Sequence, residues 1–161
     1  MIHQTLNWIH GTWPGQLVRN VFWLSPTLEI LHFVGMALLV GGVSVVDARV
    51  LGLMSEVPLD RFKVFLLWAL AGFALNLISG AMLFAAAPDA FAFNTAFRVK
   101  LICISLAGLN ALWFRHAVFS DVLRFSSVTY HRRLAKIISC FSLILWLAVI
   151  ACARLIPFVA N

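Results

Sequence analysis

The sequence predicts an all-α integral membrane protein, a bundle of four transmembrane helices preceded by a short N-terminal interfacial helix. Three observations predict it. The residues are 63% hydrophobic and only 11% charged, with a mean hydropathy of +0.99, which a soluble domain of this size does not sustain because its surface needs polar groups. The charges lie between four apolar runs, each near the roughly 20 residues that a helix needs to cross a bilayer. The 161 residues leave only short connections between such runs, so no separate soluble catalytic domain fits. The chain divides into an interfacial segment, 1–22, and a four-helix transmembrane domain, 23–161.

Each element follows from local chemistry. Ile2, Leu6, Trp8, Ile9 and Trp13 suggest a short helix lying at headgroup depth and ended by Pro14-Gly15. This opening segment lacks the basic start, apolar centre and small-residue cleavage site of a signal peptide. The first span is expected over Pro26–Val50, where seventeen residues between Glu29 and Asp47 carry no formal charge. Ser25-Pro26 reads as its start, the serine accepting from free backbone N–H groups and the proline needing no donor in the first turn. The second span, Val64–Ala87, has no charge and is stopped by Pro88-Asp89. The third, Thr95–Val118, is capped by Asn94-Thr95 and carries Arg98 and Lys100 early and Arg115 late; the fourth, Leu134–Phe158, has Arg154 near its end.

Basic residues set the orientation, because Lys and Arg are retained in the cytoplasm. Arg49, Arg61, Lys63, Arg115, Arg124, Arg132, Arg133 and Lys136 fall on one side, against Arg19, Arg98, Lys100 and Arg154 on the other. Both termini are therefore expected outside the cytoplasm. The net charge of +6 is then a topology signal, with anionic lipid heads as partners of 124–136 rather than nucleic acid. Cys103, Cys140 and Cys152 fall inside spans without paired spacing, which argues against a disulfide or zinc framework.

His32 is the residue that most asks for an explanation, since a titratable group inside a hydrophobic helix is costly and usually faces the bundle interior, a cavity or a cofactor. At about 100° per residue it shares a face with Gly35, Met36, Leu39, Gly42 and Val43, flanked by Glu29 and Asp47. The glycines permit either a close neighbouring helix or a flat ligand such as a porphyrin. Trp68, Gly72, Asn76, Ser79 and Gly80 form a small, polar stripe on the second span; Lys100, Cys103, Ala107, Asn110, Ala111 and Phe114 share a face of the third; Ser139, Ser142, Trp146 and Ala153 share one on the fourth. The first and third spans run parallel, so Lys100 lies at about the depth of His32. His116 lies on the order of 20 Å away, at 1.5 Å per residue, and the two histidines cannot hold one metal. A second site at His116 and His131 is the weaker reading. Glu29, His32, Lys100 and Arg154 are expected to converge in the outer half, with Glu29 paired to Arg154 or Lys100, and Asp47 to Arg49 or Arg115. No carboxylate dyad, nucleophile with a base, phosphate-binding loop or CxxC motif is present in the sequence, so chemistry would come from a bound group.

The ordered set LHFVG at 31–35, DARVLGL at 47–53, LISGAMLF at 77–84, FRVKLICISLAGLN at 97–110 and SLILWLAVIACARLI at 142–156 resembles an uncharacterised family of small bacterial four-helix membrane proteins, over nearly the whole chain from Trp23 onward. More distantly, the first-span histidine, the arginine about one helix length later and the lysine opening the third span resemble the membrane protoporphyrinogen oxidases and the copper-resistance D-type membrane proteins. That resemblance implies His32 as an axial haem ligand and Lys100 as a second ligand, a propionate partner or a substrate contact. The chain departs from the oxidase pattern where Asp47 interrupts it near Arg49, and where a later third-span histidine is replaced, Asn110 and His116 being the nearest candidates.

The leading expectation is a multi-pass protein of the bacterial inner membrane that binds haem b, with His32 as the metal ligand and Lys100, Gly35, Met36, Glu29 and Arg154 around the cofactor. Electron transfer, sensing or an oxidase-like step would use that arrangement, and the last would make it a haem-dependent oxidoreductase. The alternatives are copper or other ion handling, with His32, Met36 and Cys103 as soft ligands, and a non-catalytic membrane subunit. Expected partners are the lipid bilayer and a membrane or periplasmic redox partner; a homo-oligomer is left open.

Overall fold

The computed structural model describes residues 2–53, 59–115 and 129–159. It begins with two short helices, α1 (Ile2–His10) and α2 (Trp13–Asn20). Pro14 therefore starts a helix and does not end one: it occupies the first turn of α2, where a missing N–H costs nothing. Leu6 and Val18 turn inward, whereas Trp8 and Trp13 stay exposed. Arg19 ties this layer to the bundle, donating to His10 O at 2.7 Å and Ala86 O at 3.2 Å.

Four helices among the described residues are long and apolar enough to cross a membrane. They are α3 (Leu24–Leu51), α4 (Lys63–Ala86), α6 (Thr95–Phe114) and the part of α7 (Thr129–Leu155) from Arg133 onward. A 3₁₀ turn, Leu59–Phe62, precedes α4, and α5 (Pro88–Ala92) links α4 to α6. The chain is thus a multi-pass all-α membrane protein whose many exposed leucines, isoleucines and phenylalanines face lipid.

Local residue chemistry accounts for the start of α6 and the end of α3, with an exception at the start of α3. Asn94 caps α6 by accepting from Phe97 N at 3.1 Å. Its amide also donates to Ile156 O at 2.9 Å and Val159 O at 2.7 Å, fastening the start of α6 to the end of α7. Gly52 ends α3 with φ 106°, a left-handed conformation that suits glycine. The exception is Ser25, which sits inside α3: a turn at Val21–Leu24 already starts the helix, and Trp23 occupies the cap position without a side-chain bond.

Helix packing is uneven. α3 packs closely along α4 and also against α7; α6 leans on α7, and α4 and α6 hardly touch. The α3–α4 seam is made by glycine. A Cβ at Gly42 would stand 2.5 Å from Phe65 O, and one at Gly72 would stand 2.6 Å from both Gly35 O and Leu39 N. Leu28, Gly35, Leu39, Gly42 and Val46 form the buried stripe of α3, at the alternating three- and four-residue spacing of helices that cross at a shallow angle. Leu39, Ala69, Ala107, Leu145, Trp146 and Val149 form the central apolar cluster, with Met36 and Cys103 against it.

Candidate functional site

His32 projects from the third turn of α3 toward α4, half-buried, with Nδ1 2.9 Å from Ser79 Oγ. The Ser79 hydroxyl is itself 2.7 Å from Leu75 O. A carbonyl has no proton to give, so the single hydroxyl hydrogen goes to Leu75 and Ser79 accepts from His32 Nδ1–H. The imidazole is thereby held as the Nδ1–H tautomer, and Nε2 is the nitrogen with the free lone pair. Gly80 gives the ring its seat, since a Cβ there would approach Cε1 to 3.2 Å.

Three further groups surround this histidine. Lys100 on α6 is 9% exposed and makes no hydrogen bond or ion pair among the described residues. It lies close enough for its charge to act on His32, and Cys152 of α7 lies near it in turn. On α4, Asn76 donates from Nδ2 to Gly72 O at 3.0 Å, and its Oδ1 is buried without a partner. Spans α3, α4 and α6 therefore contribute to one polar cluster, with Cys152 of α7 within electrostatic reach of Lys100. A buried cation and a buried amide oxygen without partners are costly, and such groups are places where a ligand or an ordered water is bound.

The expected ring of residues divides into two sets. His32 and Lys100 come together. Glu29 is exposed and forms no ion pair with Lys100 or Arg154 among the described residues, and Arg154 is also exposed, its guanidinium 5.2 Å from the centroid of Phe158. The expected Glu29 pairing is thus corrected. Glu29 lies within two turns of the start of α3 and Arg154 at the end of α7, depths at which water and headgroups solvate a charge and nothing forces a partner. Gly35 is covered by α4, where a Cβ would meet Asn76 Nδ2 at 2.7 Å and Gly72 O at 3.0 Å, so its role is helix approach. Met36 packs on the central cluster. Trp68 is likewise outside the buried stripe of its helix at 56% exposure, leaving Ala69, Gly72, Asn76 and Ser79 to face α3. His116 and the side chain of His131 lie outside the described residues.

Sequence reasoning missed the His32–Ser79 bond. Both residues stood on polar stripes, but the axial register between two helices is set by glycine contacts that neither stripe reveals. It also missed the surroundings of Asp47, which is 7% exposed with Ser139 and Ser142 beside its carboxylate. Asp47 was expected to meet an arginine; it is enclosed instead because it lies against α7, with Ser139 and Ser142 beside it.

Among the described residues no group of three or more His, Cys, Asp and Glu side chains could hold a metal ion, and Cys103, Cys140 and Cys152 are free thiols. The donor set of the cluster is one oriented imidazole nitrogen beside one buried ammonium. That suits a group which brings most of its own ligands. No family model matches the chain, and neither a curated protein nor a solved structure matches it.

Proposed function

We propose that the protein binds haem b in the bacterial inner membrane and serves a redox role, in which His32 Nε2 would ligate the iron. The observation that carries this reading is the Ser79 bond. A ligating histidine is ordinarily oriented by donating its other ring N–H to an oxygen, and the 2.9 Å contact at Nδ1 supplies that arrangement. A porphyrin provides four nitrogens of its own, so one imidazole suffices, whereas copper would draw several protein donors. The buried Lys100 is suited to neutralise a propionate or to act as a sixth ligand. Gly35 takes no part, because α4 covers it.

When bound, haem supplies a one-electron centre whose potential depends on its axial ligand and burial. The residues' own contributions are orientation by Ser79, positive charge from Lys100, and exclusion of water by the apolar layer of Met36 and Cys103 beneath. Electron transfer, sensing and an oxidase-like step all fit, with a membrane or periplasmic partner. The distant resemblance to membrane protoporphyrinogen oxidases points the same way, and the excess of basic residues on one side of the bundle supports a topology with both termini in the periplasm. The test is the haem-to-protein ratio, by pyridine haemochrome absorbance, of protein produced with ample haem. Wild type should approach one haem per chain, and Ser79→Ala should retain haem with affinity lower by roughly ten- to a hundredfold. Wild type without haem overturns the reading; copper found by elemental analysis in its place would establish the ion-handling alternative.

A further inference from the structure

Between α4 and α6, the two spans that hardly touch, lies a cavity of about 710 Å³, within the size range of small-molecule sites. It is separate from the His32 cluster and independent of the haem reading. Leu39, Phe73, Ile104 and Trp146 line its apolar part, and Asp47, Ser142 and Arg115 lie toward its other end. From Leu39 to Asp47 it runs about 12 Å along α3, at 1.5 Å per residue. Asp47 stands one turn before the end of α3, and Arg115 directly follows α6. The polar end therefore lies near the headgroup level, with the apolar end toward the middle of the membrane.

The charges at this end are not matched to each other. Asp47 is more than nine-tenths buried and its Oδ2 has no hydrogen-bond partner; the neighbouring Ser139 Oγ has none either. Arg115 lines the same cavity and is exposed, yet no ion pair joins it to Asp47 among the described residues. An occupant that satisfies both must carry a hydrogen-bond-donating cation, an anion and an apolar chain. A quinol or a long-chain alcohol would answer Asp47 alone. We propose that the cavity is a binding site for a phospholipid with a primary amine head, of the phosphatidylethanolamine class. Its ammonium donates to the Asp47 carboxylate, its phosphodiester faces Arg115 and an acyl chain enters between α4 and α6. A charge-assisted bond formed away from water is strong enough to select one headgroup from others with the same tails.

The test uses the full-length protein, delipidated in detergent and offered dioleoyl phosphatidylethanolamine, phosphatidylglycerol or phosphatidylcholine at equal concentration, with retained lipid read by native mass spectrometry. The ethanolamine lipid should be retained about tenfold over the other two, the ratio expected of one hydrogen bond to a charged group. Asp47→Asn should lower it to the level of the glycerol lipid, and Arg115→Gln should lower both alike. Equal retention of all three lipids overturns the proposal, as does choline lipid held as well as ethanolamine lipid, since choline has no N–H. A headgroup preference that survives Asp47→Asn overturns it too. Gly108→Leu keeps the test decisive if Asp47→Asn does not fold: Gly108 lines the cavity and nothing lies within 4 Å of a Cβ there. The larger side chain should fill the cavity, leave the helical circular dichroism unchanged and reduce retention of every lipid; undiminished retention would contradict an acyl chain in the cavity.

Discussion

Replacing Gly72 with alanine should separate α3 from α4. The added Cβ would stand 2.6 Å from Gly35 O, 2.6 Å from Leu39 N and 2.9 Å from Leu38 Cβ. Two of these neighbours are backbone and cannot rotate away, so the contact must open from 2.6 Å to at least the 3.4 Å of ordinary van der Waals approach. Overpacking of this kind costs about 1–3 kcal/mol, opposed by a gain of up to about 1 kcal/mol in helix propensity. Gly41→Ala is the control, because nothing lies within 4 Å of its added Cβ and only the propensity gain applies. Reversible unfolding in mixed micelles, followed by circular dichroism, should rank the proteins Gly41→Ala, wild type, Gly72→Ala in falling stability. The same opening should lengthen the 2.9 Å His32–Ser79 bond, so on the proposed haem reading Gly72→Ala should also weaken haem retention. A Gly72→Ala protein as stable as Gly41→Ala would refute the close glycine seam.

Further outcomes follow from single contacts. Asn94→Ala removes the α6 cap and both bonds to the end of α7 and should cost about 1–2 kcal/mol in the same unfolding measurement, whereas Asn94→Asp should keep the cap and lose the amide bonds. Glu29→Gln should leave stability within about 0.5 kcal/mol of wild type, because Glu29 is an exposed group without an ion pair among the described residues; a larger loss would reveal a buried role. Lys100→Ala should shift the absorption spectrum if the lysine ligates iron and should mainly raise the rate of haem loss if it meets a propionate, both read by spectrophotometry against apomyoglobin as acceptor.

The described ends of the four spans were legible to within a few residues because a helix needs a long, mainly apolar run to cross lipid, the expected end of the third at Val118 lying outside the described residues; the stripe of Gly35, Leu39 and Gly42 was legible because helical periodicity survives in any solvent. What escaped reading depended on register and depth. Pro14 carries the same chemistry at the start of a helix as just beyond its end, so the sequence did not separate a stop from a new beginning. The glycines beside His32 suited a neighbouring helix or a porphyrin, and only the distances across the α3–α4 seam assign Gly35 to the helix. Glu29 lay next to the inward face on a helical projection, but its position near the start of α3 let it remain solvated. The enclosure of Asp47 by Ser139 and Ser142 joins helices separated by some ninety residues of chain, a distance over which no local pattern carries information.

Chemical rescue of His32→Gly tests the central claim most directly, because it asks whether an imidazole at that position holds the cofactor. The variant should purify with little or no haem and no imidazole-ligated Soret band. Adding free imidazole together with haem should restore both, since the space vacated beside Ser79 and Gly80 is lined by the groups that seat the native ring. A His32→Gly protein that keeps its haem and spectrum without imidazole would contradict the account.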